Sequence, residues 1–369
     1  MTRFKSVIGN CLVVAASIVF FFGGLEVFLR VQSAIQPIAA RTAPVVATGT
    51  PAYDGNRIAD VPEDVIAAAS SRYKYMTMPD EWKRVPIEVP GAARADRWQG
   101  VVEVYNEDRM RHIGAFPSKK PGVFRVIMVG DSLTYGDGLP EQATFTALLN
   151  AWMGKNYKVE FLNLGNNGAN SPDVLHDIQK FIPELKPDLV FYGVCLNDFL
   201  PSFTAQYSFD YEFPLPEVVK TFFVQNTRFG AFTSDAYDAV LRRFHLRSDF
   251  FDDILRDFDG YQKRFSRDVA AMNEVVRAAG LPPVLAMVLD QYPVFEGRGH
   301  RIARIAEASL SQAGTEVIPT EEYYRQLSGR DLYISRWEGH PNEVANYIWA
   351  KMISERLASR TDLQQFQNR

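Results

Sequence analysis

Between Val123 and Met352, short and mostly apolar runs alternate with amphipathic helical stretches, and this alternation limits what the chain can fold into more than any other feature. The runs cover residues 124–129 (ending at Gly130), 159–164, 189–194 and 284–289, with a shorter one near Val317. A strand with one wet face alternates polar and apolar residues, so runs without alternation belong to strands buried on both faces. Between them, Phe145, Leu148, Leu149 and Trp152 recur at helical spacing. Ser171-Pro172 predicts a helix start, with a capping residue and then proline in the first helical position, continuing through Val174, Ile178 and Phe181. Phe265, Val269, Met272 and Val276 share one helical face that stops at Gly280. Two further helices are expected, from about Ile302 to Ala313 and from Pro341 through Val344, Ile348 and Met352. The pattern predicts an α/β fold with a parallel sheet covered on both faces. Ligands of such sheets bind beyond the carboxyl ends of the strands.

Four polar blocks fall on that edge. The first run leads into Gly130-Asp131-Ser132-Leu133, and the second into a Gly165–Asn170 loop that contains Gly168. The third leads into Leu196-Asn197-Asp198, and Glu338-Gly339-His340-Pro341-Asn342 precedes the last helix. A serine hydroxyl is a weak nucleophile at neutral pH and needs a base within hydrogen-bond reach, and His340 can be that base despite its distance in sequence. Asn197 offers a neutral amide donor to developing oxyanion charge. Glycine at 168 lets the backbone approach that oxygen with no side chain in the way. Each block alone has a bland reading: a chance tripeptide, a turn, a polar strand end, a helix N-terminus. Their joint order on one edge is what carries the argument.

These blocks resemble those of the SGNH/GDSL hydrolases, and the resemblance spans about residues 123–352 apart from an aromatic-rich insertion. It implies a three-layer α/β/α sandwich, flavodoxin-like, with a parallel sheet of about five strands. It further implies Ser132 as nucleophile and His340 as base. The oxyanion hole would comprise the Ser132 and Gly168 N–H groups and the Asn197 side chain. The family's usual triad acid stands three residues before the histidine, where this chain has Trp337. Glu338, two before, is the expected substitute, and a Ser–His dyad is the alternative. The reaction implied is attack of Ser132 on an ester carbonyl, an acyl-enzyme, and release to water or to another hydroxyl. An O-acyl group of cell-envelope carbohydrate is the expected substrate. O-acyl transfer through the same residues is the first rival, and a non-catalytic polysaccharide-binding or assembly protein on a hydrolase scaffold is the second. No cofactor is expected. His112, His176, His245 and His300 show no metal-ligand spacing.

The N-terminus suggests where the enzyme works. Arg3 and Lys5 precede an uncharged run from Val7 to Leu25, about the ~20 residues a bilayer crossing needs. The expected division is an N-in anchor over 7–29, a linker over 33–52 and an extension packing on the core over 53–122. A hydrolase-like domain would follow over 123–359, interrupted by the aromatic insertion at about 199–260. The catalytic part would face the periplasm or cell exterior; a cleaved signal peptide is the competing reading. The insertion is open to two readings, a lid or groove and plain packing. Asp137 and Gly138 read as a turn after the nucleophile. A net charge of −4 without basic runs argues against a nucleic-acid partner. Two cysteines, Cys11 and Cys195, exclude a disulfide framework.

Overall fold

The computed structural model describes residues 21–28, 61–75, 84–98, 101–200, 223, 227–244, 254–255, 257–290, 297–319, 332–334 and 339–368. They fall into two compact units, with 61–75, 84–200 and 254 onward in the larger. The smaller holds 21–28 and the helical stretch Arg228–Arg243, where the Phe229 N–H donates to Glu26 Oε2 (2.7 Å) and the Phe22 and Phe229 rings meet at 4.7 Å. The sequence-defined insertion is thus divided, since residues 254–260 belong to the larger unit. No helix among the described residues is long and apolar enough to cross a membrane. Residues 1–20, which carry most of the expected span, and the linker at 33–52 lie outside the described residues.

The larger unit begins with helix α1 (Glu63–Tyr75) and strands β1 (Val85–Ile87), β2 (Arg94–Trp98) and β3 (Val101–Tyr105), an antiparallel sheet in the order β1-β2-β3. The main sheet follows: β4 (Phe124–Gly130), β5 (Val159–Gly165), β6 (Leu189–Val194), β7 (Leu285–Val288) and β8 (Glu316–Ile318). All its pairings are parallel, in the order β5-β4-β6-β7-β8. β4 and β6 are buried along their whole length, as runs without alternation require.

The helices are α2 (Ser132–Tyr135), α3 (Phe145–Met153), α4 (Ser171–Leu185), α5 (Arg228–Arg243, in the smaller unit), α6 (Phe258–Ala278), α7 (Gly297–Gln312), α8 (Glu343–Ala358) and α9 (Thr361–Gln364). α3 and α8 share a buried core with the inward side chains of β4 and β6, including Phe145, Trp349, Met128 and Phe191. Two helix starts differ from expectation by one or two residues. Asn170, not Ser171, caps α4, since its side chain and that of Asp173 satisfy one another's backbone donors. Likewise α8 begins at Glu343, because Asn342 Oδ1 accepts from the Val344 and Ala345 N–H groups (3.0 and 3.2 Å). Pro341 instead bridges to Tyr333, with the Ile334 N–H donating to the His340 carbonyl (2.9 Å) and the Asn342 N–H to that of Leu332 (2.8 Å). The backbone of His340 is thereby fixed from both sides.

Candidate active site

The strand register places Gly130 of β4 opposite Gly165 of β5 and Gly193 of the neighbouring β6. Three glycines therefore stand side by side near the carboxyl ends of the central strands, and α2 lies directly on them. A Cβ at Gly165 would come within 2.1 Å of the Tyr135 nitrogen; one at Gly130 or at Gly193 would come within 2.2 Å of Thr134 Oγ1. The turn that carries Ser132 can sit this low only because the row has no side chains.

Two groups hold the ends of that turn. At its start the Asp131 side chain caps the helix, with Oδ1 accepting from the Leu133 N–H (2.9 Å). At its end Gly136 takes the left-handed conformation (φ 78°), and its N–H returns to the Ser132 carbonyl. Arg111, buried in the stretch after β3, then donates to the carbonyls of Tyr135 (3.2 Å), Gly136 (2.7 Å) and Leu139 (2.6 Å). Carbonyls that a four-residue helix leaves without partners are thus satisfied by a charged donor.

Ser132 Oγ lies 2.9 Å from His340 Nε2, although 208 positions separate the two residues. The expected nucleophile and base are therefore in hydrogen-bond contact. Asn197 lies on the one-turn helix 196–199 after β6, and its Nδ2 donates to Asp131 Oδ2 (3.1 Å). An amide nitrogen carries two hydrogens, so one remains to face a substrate oxyanion. Gly168 occupies the turn after β5 with φ 80°, and the Asn166 N–H ties that turn to the Gly130 carbonyl (2.9 Å). Glu338, the expected acid, and Trp337 lie outside the described residues.

Behind Asn197 are three buried carboxyls, Asp131, Asp198 and Asp290. Asp198 Oδ2 accepts from the Cys195 N–H (3.0 Å) and Asp290 Oδ2 from the Leu196 N–H (2.5 Å), so both hold the turn that carries Asn197. Burial pushes all three above the ordinary carboxylate range, Asp290 to about 7, opposed by these backbone donors. The Cys195 thiol is raised well above its ordinary value, by burial and by the same carboxylates, which makes it a poor rival to Ser132 as nucleophile.

On the opposite side, the N-terminal extension reaches the site. The expectation for Asp137 was a plain turn; it is a turn, but its Oδ2 stands 3.7 Å from His340 Nε2. Arg84, just before β1, grips both oxygens of Asp137 (2.6 and 2.7 Å), and Asn167 Nδ2 donates to Oδ1 (2.9 Å). Arg84 also pairs with Glu103 of β3, whose Oε1 accepts the Gly138 N–H (2.6 Å). Burial would lower the Arg84 pKa, but Asp137 and Glu103 raise it above the ordinary arginine value. Glu103 itself is pushed up to about 7 by burial and by Asp137, with Arg84 opposing. Trp98 of β2 lies under the Arg84 guanidinium (4.0 Å) and meets the His340 ring edge-on at 6.1 Å. Sequence reading missed Arg84, Trp98, Glu103 and Asp137. The one available signal was the alternation in Val101-Val-Glu-Val-Tyr105, whose buried face carries Val101, Glu103 and Tyr105.

The family model for GDSL-like lipases/acylhydrolases matches residues 128–346, more than half of the chain. The chain belongs to that GDSL-like lipase/acylhydrolase family, and is a serine hydrolase acting on ester bonds. Similar solved structures include TesA, at 16% identity over 63% of this chain and 97% of that one, with a TM-score of 0.39. Another is a catalytic mutant of Axe2, an acetylxylan esterase from Geobacillus stearothermophilus, at 11% identity over 63% of this chain and 93% of that one, TM-score 0.40. A third is the acetyl xylan esterase AlAXEase, at 13% identity over 63% and 99%, TM-score 0.40. No curated protein matches the chain.

Proposed function

We propose that the enzyme hydrolyses O-acyl esters of carbohydrate with Ser132 as nucleophile and His340 as general base, stabilising the oxyanion with the Ser132 N–H, the Gly168 N–H and Asn197. The observation that carries this reading is the 2.9 Å contact between Ser132 Oγ and His340 Nε2 at the carboxyl edge of the sheet. In acylation His340 takes the Ser132 proton as Oγ bonds the carbonyl carbon. It then returns that proton to the leaving alcohol oxygen as the C–O bond breaks. The leaving alcohol must therefore sit against Nε2. The groups on that side are Asp137, Arg84 and Asn167 beside the Trp98 ring, a mix of hydrogen-bonding groups and an aromatic face that suits a sugar alcohol better than a lipid one. The triad acid in this reading is Glu338, taken from the sequence.

The decisive experiment treats the protein with a fluorophosphonate probe and compares it with Ser132→Ala. Labelling that depends on Ser132, together with faster release of acetate from acetylated oligosaccharide than of fatty acid from long-chain acyl esters, is the expected outcome. A folded wild type that takes no label would sink the assignment of Ser132. We also propose, on the uncharged run from Val7 to Leu25 behind Arg3 and Lys5, that an N-in anchor holds the catalytic unit outside the cytoplasm. Digestion of the catalytic unit in intact cytoplasm-sealed vesicles of known orientation tests that placement.

A further inference from the structure

We infer that Asp137 is a second acceptor for the water that resolves the acyl-enzyme, so that the site favours water over a simple alcohol as the attacking molecule. This rests on the assignment of Ser132 and His340 made above. In deacylation the attacking oxygen bonds the acyl carbon while one of its protons passes to His340 Nε2. The tetrahedral intermediate then collapses, the bond between carbon and Ser132 Oγ breaks, and His340 returns the proton to Oγ. The attacking molecule must therefore stand against Nε2, in the space the leaving alcohol has vacated. Asp137 Oδ2 is 3.7 Å from that nitrogen. Two acceptors so spaced lie within reach of the two O–H groups of one water molecule. A simple alcohol such as methanol has a single O–H, which His340 requires, so it leaves Asp137 without a donor.

The carboxylate is positioned for this task and has capacity left for it. Arg84 Nη2 donates to both oxygens and Asn167 Nδ2 to Oδ1, while Oδ2 takes only the one donor from Arg84. A carboxylate oxygen accepts about two hydrogen bonds, so Oδ2 can receive another from the site. The same clamp fixes its direction. Arg84 is itself held by Glu103 and by the Trp98 ring, and Asn167 is the residue before the oxyanion glycine. A carboxylate that served only to join the extension to the core would not need to face the base.

Rapid-mixing kinetics with p-nitrophenyl acetate separate the two half-reactions, the burst reporting acylation and the steady state deacylation. For Asp137→Asn we expect a burst rate within about 3-fold of wild type and a steady-state rate lower by about 10- to 100-fold, the range for losing one hydrogen bond to a charged acceptor. Acetyl-Ser132 should then accumulate and be visible by intact mass. With methanol present, product partitioning in this variant should shift from acetate towards methyl acetate. Arg84→Gln, which loosens the clamp without removing the carboxylate, should give the same pattern more weakly. Equal slowing of both phases, or unchanged partitioning in a variant that melts as wild type does, would overturn the proposal. Failure of the reading beneath it looks different: the wild type itself would show no burst and no label on Ser132.

Discussion

The two flanks of the Ser132–His340 pair both rely on carboxyl groups, and they handle them in opposite ways. On the oxyanion flank, Asp131, Asp198 and Asp290 are buried against backbone N–H groups, and burial raises their pKa values. On the flank made with the N-terminal sheet, Asp137 and Glu103 share the guanidinium of Arg84. The first arrangement fixes a neutral donor, Asn197, at the place where the proposed mechanism develops charge. The second presents a charged acceptor beside the base. In the proposed mechanism one flank would receive the carbonyl oxygen, and the other would handle the species that arrives or leaves with a proton.

Substitutions can test whether the flanks divide the work in this way. The largest effect is expected for Asn197→Ala, which removes an oxyanion donor needed in both half-reactions. Its burst and steady-state rates should fall together by about 10²- to 10³-fold, in contrast to Asp137→Asn, which should slow deacylation alone. A fall confined to one phase would erase the distinction. The next effect is on stability. Asp290, at about 7 in the folded protein against an ordinary value of 3.8, binds more proton folded than unfolded between those values. Its contribution is therefore present at low pH and lost as pH rises through about 7.

The neutral Asp290→Asn variant can still accept from the Leu196 N–H. Relative to wild type it should gain stability as pH rises from 4 to 8, by up to about 4 kcal/mol, measured as paired denaturant titrations. A variant whose difference from wild type is flat over that range would show that Asp290 ionises normally. The smallest effect is expected for Glu103→Gln. Glu103 is raised from 4.5 to about 7 with the opposition of Arg84 already included, a smaller rise than that of Asp290, so the sign is the same and the gain above pH 7 should be smaller. A larger gain than for Asp290→Asn would mean that Arg84 does not neutralise its flank.

The oxyanion flank was legible in the sequence and the other was not, for a physical reason. Ser132, Gly168, Asn197 and His340 each follow a buried strand or precede a helix, so the period of apolar residues locates them. β4, β5 and β6 are mostly apolar runs that end in glycine or lead directly into these blocks. The N-terminal sheet gives no such signal. β1 is three residues long and contains Pro86, and β2 reads Arg-Ala-Asp-Arg-Trp, with a buried Asp96 where an apolar residue would mark the core. Asp137 gains its meaning from Arg84, 53 positions earlier, and no local pattern links the two. The identity of the triad acid stays with the sequence reading, since Glu338 lies outside the described residues.

The row formed by Gly130, Gly165 and Gly193 bears on how such chains are recognised. Family signatures are written in the groups that perform chemistry, yet what sets the height of Ser132 above the sheet is three methyl groups that are absent. A descendant could keep every reactive side chain, replace one of these glycines by alanine, and lift its serine away from both His340 and the oxyanion donors. A change at Gly165 or Gly193 would leave the Gly130-Asp131-Ser132 block intact and is still expected to stop turnover. In this chain the glycines at the strand ends are therefore expected to matter to turnover as much as the serine does.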